Sequence, residues 1–442
     1  MDRREFIKAA GIGAAAVGVT ACAPKVVKSD NNVSTGEISG NVPQHYEGIG
    51  LLGYGCMRWP MVKGEDGKEH IDQEAVNALV DKALEHGITY FDTSPVYLQG
   101  DSERATAEAL NRHPREKWLL ATKLSNFSDA SYENSVKMYQ KSLEIFKTDH
   151  IDYYLLHSIA DGKAFEQRFG STGIMDFLQK EREAGHIRHL GFSFHGPQSG
   201  FDEMMALHEK YHWDFVQIQM NYVDWTHAGG RNTKAEYLYN ELDKRGIPVV
   251  IMEPLRGGRL ADMPAGLADQ LKAREPQRSL ASWAFRFVGT FPRVQVALSG
   301  MTYMEHLEDN LKTFTDFKPL NDEELTFLES IADQMENYPL VGCTGCQYCM
   351  PCPYGINIPG IFKFYNDNVN AGTYVVSQEQ KDYARAKRKY LLAYNEAIPT
   401  IRQADHCIGC SRCVKACPQH IRIPAELRRI DGYIEKLKQD TL

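Results

Sequence analysis

Between residues 51 and 297, short apolar runs alternate with longer stretches whose apolar positions recur every three or four residues. The runs at 51–55, 89–92, 118–122, 151–156, 189–192, 215–219, 248–252 and 294–297 read as buried strands. The stretches 73–86, 102–111, 132–146, 176–184, 201–211, 235–245, 278–287 and 303–314 have helical spacing, and Gly87, Gly185 and Gly246 punctuate helix ends. Such alternation is the signature of parallel strands joined by helical crossovers, and eight strands close a barrel. An open doubly wound sheet is the competing architecture, but no Gly-rich dinucleotide fingerprint follows the first run. The pattern predicts an α/β fold, a (β/α)8 TIM barrel over residues 47–337, whose last helical stretch is 322–336.

Outside these bounds the pattern changes. Residues 338–442 bring two dense cysteine runs around a Lys/Arg- and Tyr-rich stretch, 362–398, that reads as helical, so a small, mainly helical second domain is expected. Its basic run from Arg385 to Tyr390 reads as a solvated face. Residues 23–46, rich in Ser, Asn, Gly and Val with little periodicity, read as a flexible tether. Before them, residues 9–21 form a small-residue apolar run, too short and too weakly hydrophobic to span a membrane.

Composition narrows the function. The chain has 442 residues, 43% of them hydrophobic, and a formal net charge of −8, which argues against a nucleic-acid binder because that footprint is a basic excess. Eight of its ten cysteines lie in the two tight runs and only Cys22 and Cys56 stand apart. That distribution fits cluster ligation better than a disulfide framework, with Cys56 a buried thiol.

Polar residues on the barrel frame suggest acid–base chemistry. Asp92 ends the second strand, Lys123 the third and His157 the fourth, and Tyr97 follows Asp92, so all four fall on one face, where barrel enzymes gather catalytic groups. A phenol near its reference pKa of about 10 is a poor proton donor at neutral pH, and an adjacent ammonium improves it. Lys123 is expected to supply that charge, held by Asp92, while His157 orients a carbonyl or shares the proton relay.

The segments Phe91-Asp92-Thr93, Tyr97, Ser102-Glu103, Ala121-Thr122-Lys123 and Asp152-Tyr153-Tyr154-Leu155-Leu156-His157 resemble the aldo-keto reductase family, over about residues 48–310. The resemblance implies a catalytic tetrad of Asp92, Tyr97, Lys123 and His157, with Tyr97 as general acid for carbonyl reduction or base in reverse, and hydride from a nicotinamide, NAD(P)(H), across the strand ends. It assigns Ser193, Gln219, Asn221, Pro254, Leu255, Arg256 and Gly257 to the cofactor, with Ser299, Gly300, His306 and Asn310 at its adenosine end. Gly300 and His306 stand where NADP-preferring relatives carry basic residues, which weakens the expected grip on a 2′-phosphate.

The first cysteine run holds Cys343, Cys346, Cys349 and Cys352-Pro353, the second Cys407, Cys410, Cys413 and Cys417-Pro418. Three closely spaced thiolates wrap one face of a cubane, and a fourth before proline turns toward a second cluster. Cross-ligation is therefore expected: Cys343, Cys346, Cys349 and Cys417 around one cluster, and Cys407, Cys410, Cys413 and Cys352 around the other. The shared pattern Cys-Pro-x-x-Ile-x-Ile-Pro at 352–359 and 417–424 marks two half-units of one module and disfavours a pair of zinc sites. This tail resembles a ferredoxin-type domain with two [4Fe-4S] clusters, departing from the compact bacterial form in the insertion between its halves.

At the other end, Arg3-Arg4 with Phe6-Ile7-Lys8 resembles a twin-arginine export signal, and Val19-Thr20-Ala21-Cys22 a lipoprotein cleavage box, so residues 1–22 read as a signal. That implies export to the periplasmic or cell-surface side, with membrane contact through a lipid on Cys22. The combined reading is an oxidoreductase interconverting a small carbonyl compound and its alcohol, with electrons passing through two [4Fe-4S] clusters to a redox partner protein or a quinone. The alternative is a non-catalytic electron-relay or binding subunit that uses the barrel as a docking scaffold.

Overall fold

A computed structural model describes residues 41–43, 48–229 and 232–442. The signal read at residues 1–22 lies outside them, as does most of the tether. Val42, within the stretch read as tether, is buried and its N–H donates to His86 O at 2.8 Å. An apolar residue that reaches the first crossover helix is worth more buried than solvated.

All eight expected strands form and close: β1 (Leu52–Gly55), β2 (Tyr90–Asp92), β3 (Leu119–Leu124), β4 (Ile151–Ile159), β5 (Ile187–Phe194), β6 (Phe215–Gln219), β7 (Val249–Met252) and β8 (Val294–Ser299). Each pairs in parallel with its sequence neighbours, and β1 closes the ring by pairing with both β8 and β2, Leu52 opposite Ala297 and Tyr54 opposite Phe91. Tyr90, Ala121, Leu155, Phe215, Val250 and Val296 fill the interior, which makes it a packed core and not a pore. β3, β4, β5 and β8 run past the ends suggested by the apolar pattern because the added residues include buried polar ones, Lys123, His157, Ser193 and Ser299.

The crossover helices start and stop where local chemistry dictates. Asp72, Ser131 and Ser279 cap their helices with a side-chain oxygen on a backbone N–H, and Asn321 with Glu324 forms a reciprocal capping box on Asp322–Glu336. Gly87, Gly185 and Gly246 take φ of 83°, 82° and 71° at helix ends, a conformation other residues adopt at a cost. The structure adds elements that the pattern does not predict. These are a hairpin of Met61–Lys63 and Glu69–Ile71, a helix Ala265–Arg274, and a short helix running into a π-helical turn at Glu166–Gly170.

The second domain is helical, with Ile358–Asn370, Tyr383–Ala397 and Ile423–Gln439 packed around Phe362, Tyr365, Tyr390, Tyr394, Leu427 and Tyr433. The insertion read as helical forms two helices separated by residues 371–382, where Gly372 (φ 66°) and Asp382 (φ 62°) take left-handed backbone. This domain lies across the C-terminal ends of the barrel strands. Arg58, after β1, donates to Thr344 O, Gln219 at the end of β6 pairs with Gln419, and Gly257, after β7, packs on Thr344. Among the described residues no helix is long and apolar enough to cross a membrane.

Candidate active site

The strand ends bring Asp92, Tyr97, Lys123 and His157 together. Lys123 is fully buried; its Nζ donates to Asp92 Oδ1 at 2.5 Å and to Thr93 O at 2.8 Å, and lies 4.9 Å from the centre of the Tyr97 ring. The second oxygen of Asp92 accepts from Gln217 Nε2 at 3.0 Å. Burial pulls the Lys123 ammonium below its usual range and the Asp92 carboxylate works against that shift. Lys123→Met therefore leaves a buried carboxylate with one neutral partner. An expected loss of about 3–5 kcal/mol of stability is read as earlier unfolding of the barrel in anaerobic urea titrations followed by tryptophan fluorescence.

His157 is held from below. Its Nδ1 is 2.6 Å from Ser125 Oγ and 3.3 Å from Ser94 Oγ, and the two serine hydroxyls are 2.8 Å apart. Burial first, then Lys123, Arg168 and His195, hold the imidazole well below its usual pKa, so the ring is neutral. The Tyr97 and His157 rings meet edge to face, 5.8 Å between centres. Arg168, on the π-helical turn, fixes the end of β4 by donating to His157 O at 2.7 Å and Ser158 O at 3.1 Å.

One expectation is overturned. Lys123 does not make Tyr97 a stronger acid: the phenol is pushed well above the usual tyrosine range by burial, then by Tyr348 and Asp92. Desolvation penalises the phenolate, and the ammonium that was to favour it is already neutralised by Asp92. Tyr97 is thus kept fully protonated.

The partner in that shift is the least anticipated residue of the site. Tyr348 lies between Cys346 and Cys349 in the second domain, and its phenol is close enough to that of Tyr97 for each to act on the other electrostatically. Cys343, Cys346, Cys349 and Cys417 line one cavity, together with Thr344, Gln347 and Gln419. Cys352, Cys407 and Cys410 are the neighbours acting on Cys413, so the second set gathers as well. Four converging thiols in each set fit cubane ligation, and both sets bring one cysteine from the distant half of the repeat. Among the described residues no three His, Cys, Asp or Glu groups close in as they would on a single ion. Cys56 is buried and free.

The residues assigned to a dinucleotide are engaged elsewhere. Gln219 Nε2 and Asn221 Nδ2 each donate to Asp224 Oδ2 at 2.6 Å, and Arg256 Nε lies 3.1 Å from Asp224 Oδ1. Gln219 also exchanges hydrogen bonds with Gln419, at 2.9 and 3.2 Å. Ser193 Oγ accepts from Ser158 N, and Asn310 donates to Ser299 Oγ. Pro254 is buried and Leu255 packs on the barrel core. A Cβ on Gly257 would meet Thr344 Cα at 2.5 Å, and one on Gly300 would meet Arg58 Cδ at 3.1 Å. His306 is exposed beside Tyr303. A nicotinamide dinucleotide does not fit these residues as they stand, because Asp224, Gln419 and Thr344 take the contacts of Gln219, Asn221 and Gly257.

Gln217, Ser94, Ser125, Arg168 and Tyr348 escape a reading of the sequence. Gln217 shares a strand face with Gln219 by the two-residue period and was within reach of that argument. Tyr348 was not, since only docking of the two domains brings it to Tyr97.

Comparison with known proteins agrees with this architecture. Residues 51–333 match the aldo/keto reductase family, and residues 342–422 the 4Fe-4S dicluster domain. The uncharacterized oxidoreductase YqkF of Bacillus subtilis is 25% identical over 65% of this chain and 94% of its own length. L-galactose dehydrogenase of Arabidopsis thaliana is 24% identical over 65% of this chain and 92% of its own. A solved aldo/keto reductase from Klebsiella pneumoniae, in complex with NADP and acetate, superposes with a TM-score of 0.51 at 20% identity, covering 66% of this chain and 96% of that one.

Proposed function

The chain belongs to the aldo/keto reductase family and carries a 4Fe-4S dicluster domain, and on that premise we propose that it interconverts a carbonyl compound and its alcohol with electrons exchanged through the cluster domain. The observation that carries this reading is the closeness of Tyr97 to Tyr348, which puts the thiols of the inner cluster site one residue away from the proton donor. Assembled [4Fe-4S] clusters would supply or accept one electron each, so the pair would meet the two electrons that separate an aldehyde or ketone from its alcohol; of the two protons, one passes between Tyr97 and the oxygen and the other is exchanged between the carbon and solvent.

The chain's own residues manage the protons. Tyr97 holds its proton at Oη until a carbonyl oxygen takes the place of Tyr348 beside it. His157 Nε2, without a hydrogen bond to the described residues, points a neutral imidazole at the same oxygen, while Ser125 and Ser94 fix the ring from behind. The Asp92–Lys123 pair holds the floor of the site and excludes water from it. The second thiol set reaches the surface: Cys410 is exposed beside exposed Ile408, which suits a partner protein or a quinone as the outside redox party.

The engaged dinucleotide residues favour a second reading, a relay subunit without turnover. An anaerobic assay separates the two: viologen reduced by dithionite is oxidised in step with loss of an aldehyde or ketone if the first reading holds. Clusters that reduce and reoxidise while no carbonyl or alcohol is consumed in either direction would leave only the relay.

A further inference from the structure

Arg168 is a charged group that the proton chemistry does not use. It sits on the π-helical turn Glu166–Gly170 that follows β4, a type of distortion that recurs at functional positions. Its guanidinium lies 4.3 Å from the centre of Phe127 and 4.6 Å from that of Phe169, and Nε donates to Asn126 Oδ1 at 3.2 Å while Nη1 takes two backbone carbonyls. Nη2 is buried and has no hydrogen-bond partner among the described residues. Among those residues no carboxylate pairs with this arginine, and burial alone moves its pKa down to about 10.

A largely buried cation without a counter-ion is costly, and folded proteins retain one where a ligand completes it. The surroundings say what sign and how much charge is missing. Asp92 and Lys123 cancel, and Tyr97, His157 and His195 are all held neutral by burial, which leaves Arg168 as the single uncompensated charge beside His157 among the described residues. His195, on the segment after β5, adds a second buried nitrogen, Nδ1, without a hydrogen-bond partner among the described residues. Both Arg168 and His195 act electrostatically on His157. Phe127, half-exposed and 5.1 Å from the His157 ring, marks a side of the site open to solvent.

We propose that Arg168 and His195 form a carboxylate-binding subsite next to His157, so that the substrate is an oxo acid or the corresponding hydroxy acid, its single negative charge held by Arg168 Nη2. A neutral carbonyl compound leaves Nη2 unpaired, and a phosphate dianion brings one charge more than the site lacks. This inference rests on the carbonyl–alcohol reading for the place of the reacting oxygen, and on Arg168 itself for the anion.

The test uses the anaerobic holoprotein with 2-oxopentanoate and 4-oxopentanoate, each beside its methyl ester. Equilibrium dialysis measures binding and the viologen assay measures turnover. Acids are expected to bind and react with a kcat/KM roughly 10- to 100-fold above their esters. Arg168→Gln collapses that preference through KM, and Arg168→Lys restores part of it because a charge remains without the planar fork. Acid binding that depends on Arg168 but leads to no turnover supports the subsite and sinks the reductase reading. The subsite itself is overturned by any of three results: no saturable binding of either acid, equal binding of acid and ester, or an Arg168→Gln variant that loses kcat equally on both. The last is the mark of an arginine that only braces the end of β4.

Discussion

Tyr97→Phe lowers carbonyl turnover by about 10²- to 10⁴-fold, the range lost with a positioned general acid, while both clusters still assemble. The substitution removes one oxygen and keeps the ring, so the edge-to-face contact with His157 and the Lys123 ammonium 4.9 Å from the ring centre both persist. None of the eight clustered thiols changes. The cluster signals in low-temperature EPR and the iron content are therefore expected to match those of the parent, and only the viologen-linked rate falls. Burial holds the parent phenol fully protonated, so the proton for carbonyl reduction is in place throughout the neutral range. Unchanged turnover in Tyr97→Phe would remove Tyr97 from that role and leave His157 or Tyr348 as the donor.

The roles of particular residues show where sequence alone reaches its limit. Eight apolar runs were enough to predict the barrel, since a strand covered on both faces announces itself by composition. The tetrad followed because strand ends are fixed points of that fold, and Asp92, Lys123 and His157 each fall at one. The grouping of the cysteines was legible as well: proline after Cys352 and after Cys417 suggested a thiol turned toward the other half, and in the structure Cys417 stands with Cys343, Cys346 and Cys349.

What was not legible depends on burial and docking. The effect of Lys123 on Tyr97 was inferred from charge alone, whereas desolvation decides it and Asp92 cancels the ammonium. Gln219, Asn221 and Gly257 carry the marks of a dinucleotide site, yet Asp224, Gln419 and Thr344 take their contacts. Thr344 and Gln419 come from beyond the barrel, so no periodicity within it reveals them. Arg168 lies in a loop without recurring apolar positions, and its π-helical turn has no sequence period to detect.

Cys417→Ser removes the inner cluster and frees the loop that covers the barrel, whereas Cys352→Ser removes the outer cluster and leaves that loop in place. Iron falls from about eight atoms per chain to about four in either variant, so the count alone does not distinguish them. Location does. Cys417 lines the cavity shared with Cys343, Cys346 and Cys349, and two residues on, Gln419 pairs with Gln219 of β6. Losing a metal site costs the folding energy of the segment it ties down, so amide exchange in Cys417→Ser should rise both at 343–349 and at 93–100, where Tyr97 loses Tyr348 as its partner. In Cys352→Ser the rise should be confined to 407–413, around Cys407, Cys410 and Cys413. Carbonyl turnover is expected to vanish in Cys417→Ser, whose missing cluster is the one beside the proton donor. If each half of the repeat ligated its own cluster, the two exchange patterns would be reversed, and the contact of Tyr97 with Tyr348 would depend on Cys352 instead.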